Sequence, residues 1–208
     1  MTDIVSLITI GISAFVATNI DDIFVLMLFF SPSSVSSLKF TAKQVVLGQY
    51  IGIGMLVAIS ALGSFLPLIV PPYIIGLLGI VPIIIGAKKL VQILRKADKV
   101  VSSKQATQEK SYKKYKPYLS FLTVAAVTFS NGGDNIGVYI PMFAQYNSAS
   151  QITTLVTVLM IMTTVWCAVA YYLVNHPLIA SRIRYVGHII LPFVLIVLGI
   201  YILAESFL

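Results

Sequence analysis

From Ile4 to Phe30 every residue is uncharged except Asp21 and Asp22. A helix needs about 20 mostly apolar residues to cross the hydrocarbon core of a bilayer, so this stretch is long enough to span, and stretches like it recur. Apolar runs bounded by charge, proline or polar clusters cover about 44–66, 73–94, 118–145, 152–174 and 185–207. Ser31-Pro32-Ser33-Ser34 ends the first, Pro67 closes the second, and a tight link through Pro71-Pro72 leads to the third, which contains Pro82. The chain therefore predicts as an all-α integral membrane protein with six transmembrane helices. Six spans take up about 120 to 150 positions, which leaves a 208-residue chain no room for a separate soluble catalytic domain. Composition agrees, with 58% hydrophobic and 10% charged residues and a mean hydropathy of +0.96. No basic segment precedes the first apolar run, so residues 4–30 read as a retained span rather than a cleaved signal.

The formal charge is +7, from 14 Lys and Arg against 7 Asp and Glu. All the basic residues fall at the connections between spans 1 and 2 (Lys39, Lys43), 3 and 4 (Lys88 through Lys116) and 5 and 6 (Arg182, Arg184). The positive-inside rule makes that face cytoplasmic and puts both termini outside. The basic charge thus serves orientation in a lipid bilayer, and no nucleic-acid partner is expected. The basic connection, residues 95–117, reads as a solvated topology signal. A lone cysteine, Cys167, allows neither an internal disulfide nor a CxxC motif and reads as a buried small apolar residue.

A shift of 113 positions lays Thr18-Asn19-Ile20-Asp21-Asp22-Ile23 on Asn131-Gly132-Gly133-Asp134-Asn135-Ile136, and Gly86 on Gly199. The chain divides accordingly into residues 1–94 and 118–208, each with three spans. Because three is odd, the halves lie in opposite orientations, the inverted-repeat plan of many secondary transporters.

An acid at the centre of a membrane helix costs on the order of 3 kcal/mol on insertion scales, yet Asp21, Asp22 and Asp134 all lie inside apolar spans. Residues at i, i+3 and i+4 share a helix face. That spacing joins Thr18, Asp21 and Asp22 in one half and Asn131, Asp134 and Asn135 in the other, with Asn19 three before Asp22. The expected metal ligands are Asn19, Asp21, Asp22, Asn131, Asp134 and Asn135. Thr18, Gln49, Ser130, Gly132, Gly133 and Pro141 are expected to support or gate them. Gly132-Gly133 weakens the fourth helix and frees backbone carbonyls, and Pro141 loosens it again. Straight antiparallel helices would leave Asp21 and Asp134 about 10 Å apart along the membrane normal, so one shared site needs tilt or an unwound turn; otherwise there are two sequential sites.

Carboxylate, amide and carbonyl oxygens suit hard or borderline cations. With no Lys or Arg expected beside the acids, an anion is excluded, and a divalent ion with a partly retained proton balances the charge best. Ligand chemistry alone leans to Mn²⁺ or Ca²⁺. Thr163 and Thr164 are expected to bond back to their own helix, and His176 and His188 to lie at span ends. Gly86-Ala87-Lys88-Lys89 does not match a phosphate-binding loop, so nothing points to ATP hydrolysis. Export of a doubly charged ion against an inside-negative potential costs about 4.6 kcal/mol per 100 mV. Proton and metal can compete for the same oxygens, and exchange of two protons per ion would cancel that cost. No resident cofactor is implied, and the chain reads as a transporter, not an enzyme.

Ala17-Thr18-Asn19-Ile20-Asp21-Asp22, Gly48-Gln49-Tyr50, the region of Pro82, and Ser130-Asn131-Gly132-Gly133-Asp134-Asn135-Ile136-Gly137-Val138-Tyr139-Ile140-Pro141 resemble the CadD-type cadmium-resistance transporters of bacteria, within the LysE superfamily. The resemblance implies a plasma-membrane exporter of Cd²⁺, with Zn²⁺ as a second ion, and with the acids of spans one and four at the ion. Alternatives within reach of the same residues are export of Mn²⁺, Ca²⁺ or a basic amino acid such as lysine, or a cation channel. The oligomeric state stays open, a homo-oligomer included.

Overall fold

The computed structural model describes residues 4–31, 40–97, 120–146, 148–176, 189–190 and 192–204. Every element among them is helical: α1 (Ile4–Asn19), α2 (Asp22–Phe30), α3 (Ala42–Ala61), a 3₁₀ extension (Leu62–Leu68), α4 (Pro72–Leu77), α5 (Ile80–Ala97), α6 (Ser120–Asn131), α7 (Gly133–Ala144), α8 (Ala149–Leu173) and α9 (Pro192–Ala204). Lys39, most of the basic connection, Arg182, Arg184 and His188 lie outside the described residues, and with them the charge pattern behind the predicted sidedness.

The spans differ from uniform rods. The first is not one helix over 4–30: α1 and α2 meet at Ile20–Asp21 with a bend of 67°. The fourth, expected over 118–145, is interrupted at Gly132. The third consists of α4 and α5 in close succession, and the second ends in 3₁₀ turns around Pro67, where proline removes a helical donor. Among the described residues three helical stretches are individually long and apolar enough to cross a membrane (Ala42–Leu68, Ile74–Ile93, Ala149–Leu173), and the bent pair α1–α2, if taken as one span, is a fourth. Phe121–Asn131 and Pro192–Ala204 are shorter apolar helices. Of the sixth span, expected over 185–207, α9 is the described part.

Local chemistry explains the helix starts. Thr41 caps α3: its hydroxyl accepts from the Gln44 N–H at 3.3 Å while the Gln44 side chain accepts from the Thr41 N–H at 2.9 Å, a reciprocal capping box that puts the start slightly ahead of the expected residue 44. Pro72 opens α4, where its missing N–H is harmless.

Packing relies on small residues. Gly48 and Gly52, one turn apart on α3, face α6: a Cβ on Gly48 would collide with the Phe121 carbonyl and Val124, and one on Gly52 with Thr128. Glycine lets two backbones approach in a setting where hydrophobic expulsion from water does not drive helices together. At the other end of the molecule Gly79 abuts Gly199, and Gly86 abuts the Pro192 carbonyl. Phe15, Leu56, Tyr139, Phe143 and Leu159 are fully enclosed, whereas Val5, Leu28, Ile69, Ile161 and Val197 face outward. Large apolar side chains on the outside are what a lipid-facing surface requires and a water-facing one avoids.

Candidate metal site

The two interruptions lie at the two polar runs. α1 ends at Asn19 and α2 begins at Asp22; α6 ends at Asn131 and α7 begins at Gly133, with Asp134 in its first turn. Each break brings a helix C-terminus, whose last carbonyls lack intrahelical donors, beside a helix N-terminus. The partial positive charge at the start of α2 and α7 favours the carboxylates in their first turns, and the carbonyl ends of α1 and α6 favour a cation.

The first break is held by α8. Trp166 Nε1 donates to the Asn19 carbonyl at 2.7 Å, supplying a donor where α1 stops, and its ring packs edge-on against Phe15 with centroids 5.5 Å apart. The Asn19 amide, fully buried, donates to the Phe15 carbonyl at 2.9 Å and to the Tyr139 hydroxyl at 3.0 Å. Thr18 bonds back to the Ala14 carbonyl at 3.0 Å and also donates to Tyr139 at 3.2 Å. The second break is made by room: a Cβ on Gly132 would run into the buried Leu56 side chain, while Gly133 faces open space. Gly132 has φ of −75° and ψ of 19°, a backbone any residue can adopt, so it is proximity that calls for glycine.

Across the breaks, residues more than a hundred positions apart in sequence meet. Asn131 Nδ2 donates to Asp22 Oδ1 at 3.0 Å, and Asn135 Nδ2 donates to Asn19 Oδ1 at 3.4 Å. Asp22 and Asn135 are buried; the side chains of Asp21 and Asp134 are 47% and 27% exposed. Asn135 Oδ1 is a buried acceptor without a hydrogen-bond donor, a situation that native structures rarely tolerate without a further partner.

A cation from a third helix completes the group. Lys89 Nζ lies 3.1 Å from Asp134 Oδ2 and 3.8 Å from Asp21 Oδ2. This corrects the expectation that no Lys or Arg stands beside the acids. It also corrects the straight-helix distance, since two carboxylates that reach one ammonium cannot be further apart than those two contacts laid end to end. With Lys89 in place, three carboxylates less one ammonium leave two formal negative charges. Lys89 reaches the acids because α5 lays Val81 and Ile85 against Gly137 of α7, and Lys89 is the next residue at spacing four on that stripe. Its neighbour Lys88 is exposed.

The supporting residues divide. Gly132 shapes the second break. Gln49 is buried and accepts from Thr128 Oγ1 at 2.6 Å, with its Nε2 unpartnered. Ser130 is exposed, with no hydrogen bond to the acids, and Pro141 lies further along α7, next to the residue whose backbone Gly63 abuts. Thr163 and Thr164 bond back to Leu159 and Met160, as expected, and Thr164 also meets the Tyr50 hydroxyl. Cys167 is buried, and the His176 ring packs on Tyr172. Among the described residues no three His, Cys, Asp or Glu side chains converge as a ready-made metal cage; the acids are instead distributed over Lys89 and Asn131. Sequence reasoning missed Tyr139, Trp166, Thr128 and Lys89. For Lys89 a signal existed in its spacing from Val81 and Ile85, but it became readable only once α7 was known to face that stripe.

The family model for cadmium resistance transporters matches residues 15–207, which takes in both breaks and all three acids. The chain belongs to the cadmium resistance transporter family. Neither curated proteins nor solved structures give a match. This transporter is accordingly a multi-pass helical membrane protein of a metal-resistance family, as the apolar spans lead one to expect.

Proposed function

We propose that this transporter is a secondary exporter of divalent cations across the bacterial plasma membrane, with Cd²⁺ as the first candidate and protons as the counter-ion. The ion would be held by Asp21, Asp22 and Asp134 with amide oxygens of Asn19, Asn131 and Asn135. The observation that carries this reading is the meeting of Asp21 and Asp134 at one ammonium, because oxygens that share one cation are placed to share another. The unpartnered Asn135 oxygen supports it, as do the carbonyl ends of α1 and α6 beside the acids. Cd²⁺ comes from the family; the all-oxygen donor set favours harder ions such as Mn²⁺ or Ca²⁺ as a second reading.

The architecture we infer is a pair of inverted three-helix units, residues 1–94 and 118–208, around that site. In its favour, the shift of 113 positions that aligns the polar runs also brings the two breaks within two residues of each other. It further maps the contact of Gly86 with Pro192 onto that of Gly199 with Gly79. In this reading the basic connection is cytoplasmic and both termini are outside. Exchange of two protons for one divalent ion would be electroneutral and remove the cost of about 4.6 kcal/mol per 100 mV.

The test is uptake into proteoliposomes of Cd²⁺, Zn²⁺, Mn²⁺, Ca²⁺ and lysine, with and without an imposed pH gradient. Divalent transport should respond to the gradient, and Asp21→Asn, Asp22→Asn and Asp134→Asn should each lower it by about tenfold or more, since each removes a charged ligand. Transport indifferent to the gradient sinks proton exchange, and near-normal transport in all three variants sinks the site.

A further inference from the structure

The ammonium between Asp21 and Asp134 raises a question that the carboxylates alone do not. Lys89 belongs to a long apolar span, yet its charge is directed at the acids rather than at a membrane surface. We propose that Lys89 is a tethered cation that the transported ion must displace, and that it thereby restricts the site to ions carrying two charges. This rests on the carboxylate site proposed above.

The argument is electrostatic and geometric. A divalent ion binds carboxylate oxygens at roughly 2.0 to 2.6 Å, and the Lys89 ammonium already stands 3.1 Å from one of them and 3.8 Å from another. Two cations competing for the same pair of oxygens repel, and the one with the greater charge gains more from the acids. A monovalent ion offers the acids no more charge than Lys89 does. It also competes with a group whose effective concentration is set by a short covalent tether. Only an ion of higher charge has the advantage. The lysine stem suits this role: it is flexible and ends in a compact point charge, so it can withdraw without breaking a bidentate pair. At 24% exposure the Lys89 side chain has a way out, while the contacts of Val81 and Ile85 with Gly137 keep its base beside α7. When the ion leaves, the ammonium returns and prevents immediate rebinding.

Among the described residues, the acids that meet Lys89 belong to the site: Asp21 from the turn between α1 and α2, and Asp134 from α7, with Asp22 of α2 one position from Asp21. Lys88, the neighbouring cation, points elsewhere and is exposed, so it serves as the control.

The experiment measures equilibrium binding of Cd²⁺ to purified full-length protein in nanodiscs, with NaCl or with choline chloride as the salt. Wild type should bind with an affinity that hardly depends on which salt is present. Lys89→Gln should bind Cd²⁺ about tenfold or more tightly in choline, as expected on removing a like charge from the site, and should lose much of that gain in NaCl, where Na⁺ now competes. Lys89→Arg should behave more like wild type than like the glutamine variant, and Lys88→Gln should not acquire Na⁺ sensitivity. Equal or weaker binding by Lys89→Gln, or binding indifferent to Na⁺, overturns the proposal. A second measurement needs no variant: acylation of Lys89 in wild-type protein, read by peptide mass spectrometry, should rise when Cd²⁺ is added, and unchanged or reduced labelling overturns the proposal equally. Failure of the underlying site looks different, because Asp21→Asn and Asp134→Asn would then bind Cd²⁺ as wild type does, whatever Lys89 variants do.

Discussion

The two helix interruptions do the same job by different means. At Ile20–Asp21 the chain contains neither glycine nor proline, yet it turns by 67°, and its shape is maintained from outside by Trp166 on the Asn19 carbonyl and by the Asn19 amide on Phe15 and Tyr139. At Gly132 the helix stops where a side chain would meet Leu56, so the interruption is built into the residue itself. One break depends on partners more than a hundred residues away, the other on the absence of a single carbon atom. Both leave a carboxylate in the first turn of the following helix. It follows that two helix breaks next to carboxylates do not require the same local sequence, provided tertiary contacts supply what one of them lacks.

Substitutions can break this comparison. The largest effect is expected for Asn19→Ala, which removes the amide that bonds Phe15 and Tyr139 and deprives Asn135 of its acceptor. Loss of several buried hydrogen bonds should destabilise by about 3 kcal/mol, visible as a clear drop in Tm, and an unchanged Tm would mean that Asn19 does not hold the first break. Next comes Gly132→Ala, which crowds Leu56 and should cost about 1 to 3 kcal/mol by overpacking. Adding Leu56→Ala should cost less in that background than alone, because the cavity is then partly filled. Gly133→Ala, with open space at its Cβ, should cause no loss; if it destabilises as much as Gly132→Ala, the break needs backbone freedom rather than room. The smallest measurable loss should come from Trp166→Phe, which keeps an aromatic ring against Phe15 and deletes one donor, for about 1 kcal/mol. Its Cd²⁺ affinity should fall more than that of Gly133→Ala, since Trp166 holds the Asn19 carbonyl whereas Gly133 has open space where a Cβ would stand.

Much of the candidate site was legible. Acids inside apolar runs stand out because their insertion is costly, and helical spacing grouped them with Asn19, Asn131 and Asn135 before any contact was known. Asp22 with Asn131, and Asn19 with Asn135, then met across the halves. Lys89 was the main omission. Counting basic residues by connection treated Lys88 and Lys89 alike, although successive residues on a helix point about 100° apart; one is exposed, and the other reaches two carboxylates. Gln49 pairs with Thr128 and Ser130 is exposed, placements that could not be read from the sequence, since polarity within or beside a span does not say which neighbour the side chain faces.

The sequence by itself determined that this protein lives in a membrane, where its apolar runs lie, which acids interrupt them, and that Gly132 is a weak point, because transfer costs and local backbone chemistry are properties of residues and their near neighbours. The tertiary structure decided the bend at Ile20–Asp21, the donor that Trp166 gives it, and the placement of Lys89 between Asp21 and Asp134. Each of those depends on which face of one helix packs against which face of another, and the close approach of small residues such as Gly48, Gly52, Gly79 and Gly86 fixes that facing only once the whole chain has come together.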